Sequence, residues 1–152
     1  MEISIKIEGI EKLAAGAAAA PATLESEVKV ALVAGSLLIE GAARGLAPKD
    51  TGRLAGSITH NISGLTSRIG PSAGYGLFVE MGRSAGKPPP VSAVAGWAAR
   101  HGVNPYVLAR SIGRRGTRKR PFMKPAFESN VGRVTALFVK VGARVVARMA
   151  GG

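Results

Sequence analysis

Residues 127–145 decide the fold class, and they read FESNVGRVTALFVKVGARV. Large apolar side chains recur there in steps of four or three residues: Phe127, Val131, Val134, Phe138, Val141 and Val145. This spacing places them along one side of an α-helix, so the segment predicts a long C-terminal helix that packs through this apolar stripe. A basic stripe follows the same helix roughly 100° away, at about 3.6 residues per turn. Its members are Arg133, Lys140, Arg144 and Arg148.

The segment before this helix predicts two short helices that alternate with two loops. Gly82–Pro90 ends in consecutive prolines, which cannot donate backbone hydrogen bonds, and it is predicted to be a loop. Helices are predicted at Ser92–Arg100 and from Asn104 to Ile112, because Ser and Asn favour the position that caps a helix. The second loop, Gly113–Arg120, holds five basic residues in eight positions. We expect both loops to become ordered only when a partner neutralises their charge.

The N-terminal part of the chain predicts a strand followed by two helices. Isoleucines at the alternate positions 3, 5 and 7 are typical of a half-buried strand. An alanine-rich helix is predicted at Ile10–Ala20 and is ended by Pro21, after which Thr23 caps a long helix. The predicted apolar stripe of that long helix is Leu24, Val28, Ala31, Leu38, Ala42 and Leu46.

The remaining elements complete an α+β fold. Gly56–Ser63 and Leu65–Ile69 predict a β-hairpin, whereas the apolar segment Tyr75–Met81 fits a strand or a helical turn equally well. The predicted order is an N-terminal strand, a long helix, an antiparallel β-hairpin or small sheet, small helices in an insertion, and a long C-terminal helix packed on the sheet. The 152 residues predict a single domain, 1–152, with a core of 1–82 and 120–150 and a basic insertion at 83–119.

Charge is distributed very unevenly along the chain. The formal net charge is +12. Residues 1–82 hold seven Lys and Arg against eight acids, whereas residues 83–152 hold fourteen against Glu128 alone. A surface this basic predicts an acidic or polyanionic partner. DNA, RNA, anionic lipid and an acidic protein surface all meet that description.

Several classes of protein are disfavoured by residues that the sequence lacks. It contains no cysteine, which excludes disulfides and thiolate sites, and its start does not resemble a signal peptide, so we expect a soluble protein in a reducing cytoplasm. Asp50 is the single aspartate, and His60 and His101 lack metal-ligand spacing to any partner. No nucleophile elbow, phosphate-binding loop or dinucleotide fingerprint occurs. We therefore expect no enzyme activity, no catalytic residues, no cofactor and no metal.

Three short motifs carry more information. Residues 47–58, APKDTGRLAGSI, predict a helix stop and a tight turn at Asp50 and Gly52. Residues 75–82, YGLFVEMG, place Glu80 among apolar residues, where it needs a basic partner; Arg53 and Arg120 are the candidates. Residues 120–127, RPFMKPAF, predict an extended approach to the last helix, with Pro125 in its first turn.

In this order the motifs resemble the tail-component family of long-tailed bacteriophages, also described as neck or tail-completion proteins. The motif residues are Pro48, Asp50, Thr51, Gly52, Arg53, Leu54, Ser57 and Ile58; Tyr75, Val79, Glu80 and Gly82; and Arg120, Pro121, Phe122, Pro125 and Ala126. Ile5–Leu13 is also similar, so the resemblance spans roughly residues 3–148. Residues 83–119 form a longer insertion than compact members of the family have, and Gly76 stands where alanine is more usual.

The resemblance implies a virion structural protein at the head–tail junction, assembled in the host cytoplasm. It implies either a neck or connector ring or a tail-completion or tail-terminator ring. The expected partners are further copies of the chain in a homo-oligomeric ring, with six copies favoured and twelve as the alternative, and the neighbouring head-connector and tail proteins. DNA passing through the channel is a further candidate partner, and no membrane is expected.

A stand-alone nucleic-acid-binding protein is the alternative function. Arg114, Arg115, Arg118 and Lys119 are the candidate docking or phosphate contacts. Against this alternative, none of the seven aromatic residues is interleaved with the basic run, so the sequence displays no base-stacking platform. A membrane-surface role is weaker, because the apolar stripe of the last helix is also what a core requires.

Overall fold

The computed structural model describes residues 3–6 and 21–150, and it confirms the predicted mixture of helices and strands. In chain order the elements are β1 (Ile3–Lys6), α1 (Pro21–Leu46), α2 (Arg53–Gly56), β2 (Ile58–Ser63), β3 (Thr66–Pro71), α3 (Gly76–Met81), α4 (Val91–Arg100), α5 (Pro105–Arg115) and α6 (Met123–Ala150). The helix predicted at Ile10–Ala20 lies outside the described residues.

The chain divides into two compact units. The first unit runs to Gly74 and resumes at Phe122, and the second is Tyr75–Pro121. The second unit therefore includes α3, which the sequence interpretation assigned to the core, as well as the basic segment 83–119.

The strands form a three-stranded antiparallel sheet with β3 in the middle, in the order β1–β3–β2. Ile3 lies opposite Ile69, and Ile58 lies opposite Pro71. The hairpin between β2 and β3 turns through Gly64, whose φ of +57° is in the left-handed region that favours glycine. The predicted hairpin is thereby confirmed, and β1 extends it into a small sheet.

Helix α1 buries different faces along its length. Near its start, Leu24 and Val28 pack with Val141 and Val145 of α6, as the predicted stripe requires. Beyond Ala31 the predicted stripe is wrong, because the buried side chains are those of Leu32, Ser36, Ile39 and Ala43, whereas Leu46 is exposed. The change has a physical cause: the later part of α1 packs on the sheet, where the hydroxyl oxygens of Ser36 and Ser67 lie 2.6 Å apart.

Helix α6 packs chiefly along α1 and also contacts the sheet. Leu65 of the hairpin, Leu137 and Phe138 pack against the cluster that the two long helices share. At the closest approach, a Cβ on Gly35 would lie 3.1 Å from Cγ1 of Val134, so glycine lets these helices come together. The predicted stripe fails at Val131, which is 44% exposed.

Three predicted boundaries are wrong. Helix α1 begins at Pro21, so Thr23 lies inside the helix; the fixed φ of proline suits a first helical turn. Residues 53–56 form the short helix α2, and the strand that follows begins at Ile58. Residues 113–115, predicted to be part of a loop, are the last turn of α5.

Candidate functional site

The second unit is held together by two chain segments, 82–88 and 113–120. Arg83 and Thr117 exchange backbone hydrogen bonds of 3.1 and 2.8 Å, and the Gly86 amide donates to the Gly113 carbonyl across 2.7 Å. From the sequence we expected these segments to be ordered only by a partner. That expectation is wrong, because they pair with each other within one chain.

Glycine is required where the two segments meet. Gly82 and Gly116 have φ values of +73° and +71°, which side-chain-bearing residues rarely adopt. A Cβ on Gly82 would lie 2.7 Å from the Thr117 carbonyl oxygen, and one on Gly116 would overlap the carbonyl oxygen of Arg83. The second motif therefore contains Gly82 at a point of close backbone approach.

Helices α4 and α5 form a pair joined by a four-residue turn, 101–104. Gly102 in the turn has a φ of +64°, and the Asn104 side chain caps α5 by accepting bonds from the Tyr106 and Val107 amides at 2.9 and 3.4 Å. Ala98 of α4 and Ala109 of α5 are buried. A cap from Asn104 was predicted, and the structure confirms it.

The second unit presents a strongly basic surface. Its sequence holds nine Lys and Arg against Glu80 alone, and Glu80 is buried, with 3% of its surface exposed. The predicted contact residues Arg114, Arg115, Arg118 and Lys119 are all exposed. The first two lie at the end of α5 and the last two in the extended segment that pairs with residues 82–88.

Exposed aromatic residues also belong to the second unit. Four of the seven aromatic residues lie there, and each is exposed: Tyr75, Phe78, Trp97 and Tyr106. The Arg83 guanidinium lies over the Phe78 ring at 5.6 Å, and the Trp97 and His101 rings stack at 4.0 Å. The sequence did not indicate that these exposed aromatic residues and the basic run share one unit, because the two are separated along the chain.

The first motif lies in the first unit and forms the joint between α1 and β2. Gly52 has a φ of +76° before α2, and Leu54 is buried within α2. The Ser57 carbonyl accepts a 2.9 Å bond from the Ser72 amide. Thr51 and Arg53 are exposed. These residues therefore shape and anchor a turn, as predicted for Gly52.

The second and third motifs meet in the second unit. The Arg120 amide donates a 2.7 Å hydrogen bond to the Val79 carbonyl, and the apolar segment of the second motif is the short helix α3. Phe122 is fully buried in the first unit, and Pro125 lies in the first turn of α6, as predicted. The burial of Glu80 is confirmed, whereas its pairing with Arg53 or Arg120 stays a prediction.

Two ionic clusters were missed by the sequence interpretation. In the first, the Glu40 carboxylate lies 2.6 Å from the Arg44 guanidinium and 2.5 Å from Nδ1 of His60. Arg44 also donates to the Ile58 carbonyl at 2.8 Å, which ties α1 to β2. In the second, Glu27 of α1 pairs with Arg148 of α6 at 2.6 Å. The i, i+4 spacing of Glu40 and Arg44 was the one sequence signal available.

Neither a metal-binding cluster nor a membrane span occurs in the described part of the chain. No three His, Asp or Glu side chains gather there in a group that could hold a metal ion. Among residues 3–6 and 21–150, no helix combines the length and the apolar character needed to cross a bilayer. Comparisons of the chain with protein-family models, curated proteins and solved structures give no match.

Proposed function

We propose that the protein is a virion structural subunit at the head–tail junction of a long-tailed bacteriophage. It acts by assembling into a ring and by docking to head-connector and tail proteins, without catalysis. The proposal starts from the resemblance carried by the three motifs. The observation that carries it furthest is the exposed apolar surface of α3.

Helix α3 leaves large apolar side chains in water. Leu77 and Met81 are 44% and 62% exposed, and Phe78 and Tyr75 beside them are also exposed. A contiguous exposed apolar surface on a folded protein is typical of a protein–protein interface. Because α3 carries the second family motif, the apolar surface and the motif coincide on one short segment.

The motif residues support a structural role. Gly52 and Gly82 adopt left-handed backbone conformations, Leu54 and Phe122 are buried, and Val79 accepts a backbone bond. These are the properties of turns and anchors that hold the backbone of each unit in one shape. A subunit with unlike surfaces suits the head-to-tail contact from which rings are built.

A pair of double variants tests this assignment. Leu77 and Met81 are four residues apart and lie on one side of α3. We expect the parent chain to elute as an assembled species in size-exclusion chromatography, and Leu77→Ser with Met81→Ser should abolish it. The matched control is Val139→Ser with Val146→Ser on α6, where both valines are at least 60% exposed; it should assemble normally. Unchanged assembly of the α3 variant would refute α3 as the interface.

A further inference from the structure

We infer that the exposed face of α5, together with the extended segment 116–120, is a binding surface for the phosphate backbone of duplex DNA. This inference goes beyond the proposed function, because it assigns a nucleic-acid ligand to a defined face of the second unit. It concerns the single chain and does not require a ring.

The exposed face of α5 has a regular pattern. Tyr106, Arg110 and Arg114 follow one another at four-residue intervals and are all exposed, with Tyr106 at 71%. Such spacing aligns their side chains along one side of the helix. Ala109 and Gly113 are buried on the adjacent side of the helix, each roughly 100° from the arginine that follows it in the sequence. Gly113 is needed there because its Cβ would lie 2.7 Å from Cγ of Pro88. The basic row therefore borders the buried side of α5 and is itself exposed.

Both parts of this surface are held in place before any ligand binds. The Asn104 cap fixes the start of α5, and the bonds between Arg83 and Thr117 and between Arg120 and Val79 hold the extended segment. A surface ordered in advance loses less conformational entropy when it binds. Two helices joined by a short turn that contains glycine are also a common DNA-binding arrangement, in which the second helix lies against the duplex.

Most of the acidic residues that the structure describes are poor partners for this surface. Glu25, Glu27, Glu40 and Glu128 already pair with basic side chains of the first unit. Glu80, the one acid of the second unit, is buried. Asp50 is the remaining described acid, an exposed residue of the first unit. These six acids are too few to neutralise the nine basic residues of the second unit, which favours an anion from outside the chain.

The chemistry of the surface suits phosphate as a ligand. Seven of the nine basic residues in the second unit are arginine, whose planar guanidinium contacts phosphate oxygens through two parallel hydrogen bonds. Tyr106 adds a hydroxyl donor of the kind that contacts phosphates in protein–DNA complexes. No exposed acid in the unit repels a polyanion.

The test measures binding of the full chain to a fluorescent DNA duplex about three helical turns long, by anisotropy over a series of salt concentrations. The variant carries Arg110→Gln, Arg114→Gln and Arg118→Gln. The matched control carries Lys29→Gln, Lys49→Gln and Lys140→Gln in the first unit, so both proteins lose the same charge. Thermal melting checks that each is folded, and the single variant Arg114→Gln replaces the triple variant if that one melts early.

The variant should bind roughly tenfold more weakly or worse, and its salt slope should fall by about two to three, since each lost phosphate contact removes about 0.9 from the slope. The control should keep the parent slope. Equal weakening of both proteins, or no binding by the parent, would overturn the inference. The inference would also be overturned if polyglutamate or an RNA duplex displaced the labelled DNA better than unlabelled DNA does at equal charge. A parent protein that assembles but does not bind DNA counts against this inference alone, whereas a parent protein that binds DNA but remains a monomer counts against the proposed function alone.

Discussion

The backbone amide of Arg120 donates a hydrogen bond to the carbonyl oxygen of Val79 across 2.7 Å. Val79 lies near the start of the second unit in the sequence and Arg120 lies near its end. The bond therefore brings the two ends of this segment together and joins the second motif to the third. The exposed apolar side of α3 and the basic end of α5 are thus carried by one body that is ordered before it meets a partner.

Replacing Gly116 tests this closure. Gly116→Ala should destabilise the second unit by about 2 kcal/mol or more, because a left-handed conformation strains any residue with a Cβ by roughly 1–3 kcal/mol and this Cβ would overlap the Arg83 carbonyl. Hydrogen exchange should accelerate at the Arg83 and Thr117 amides. The control is Gly96→Ala within α4, where the nearest atom lies at an ordinary 3.5 Å, and alanine should be neutral or stabilising. Parent-like exchange in Gly116→Ala would contradict this description.

Glu80 should be a structural anchor. Glu80→Gln is expected to lower the free energy of unfolding by about 3–5 kcal/mol, because Glu80 is buried and the change would remove the charge from its predicted ion pair. Glu128→Gln, which alters an exposed pair 3.7 Å from Lys124, should change it by less than about 0.5 kcal/mol. Denaturant unfolding gives both values. Double-mutant cycles with Arg53→Ala and Arg120→Ala then identify the partner, and the absence of coupling to both would disprove the predicted ion pair.

Two ion pairs on α1 with the same spacing should differ in strength. Arg44→Ala should cost roughly 2–3 kcal/mol, because it leaves the buried Glu40 with His60 alone and also removes the bond to the Ile58 carbonyl. Lys29→Ala breaks an exposed pair with Glu25 of equal length, 2.6 Å, and should cost below about 0.5 kcal/mol. Chemical denaturation measures both losses in the free energy of unfolding. Equal losses in the two variants would show that burial of Glu40 does not strengthen its ion pair.

Periodicity predicted the elements whose partners do not change along their length. The hairpin and α6 follow from their apolar spacing, whereas the buried face of α1 shifts after Ala31, where its neighbour changes from α6 to the sheet. The segment 75–81 is too short to distinguish the helical period of apolar residues from the strand period, and the structure shows a helix there.

Glycine and long-range pairs explain most of the remaining differences. Gly113 was interpreted as the start of a loop, but it lies inside α5, where Pro88 packs too close for a side chain. The Glu40–His60 contact joins residues twenty positions apart, one on a helix and one on a strand. Which residues meet there depends on how the helix packs on the sheet, and the sequence does not show this. The exposure of the predicted contact residues Arg114, Arg115, Arg118 and Lys119 could be predicted, because a run of charged residues is exposed whichever elements it joins. Their role as contacts stays a prediction.

Sedimentation velocity of the full chain over a range of protein concentrations measures the assembly that the proposed function requires. We expect a discrete closed particle of about six chains, each of 15.5 kDa, whose share rises with concentration. A single species of 15.5 kDa at every concentration would contradict it.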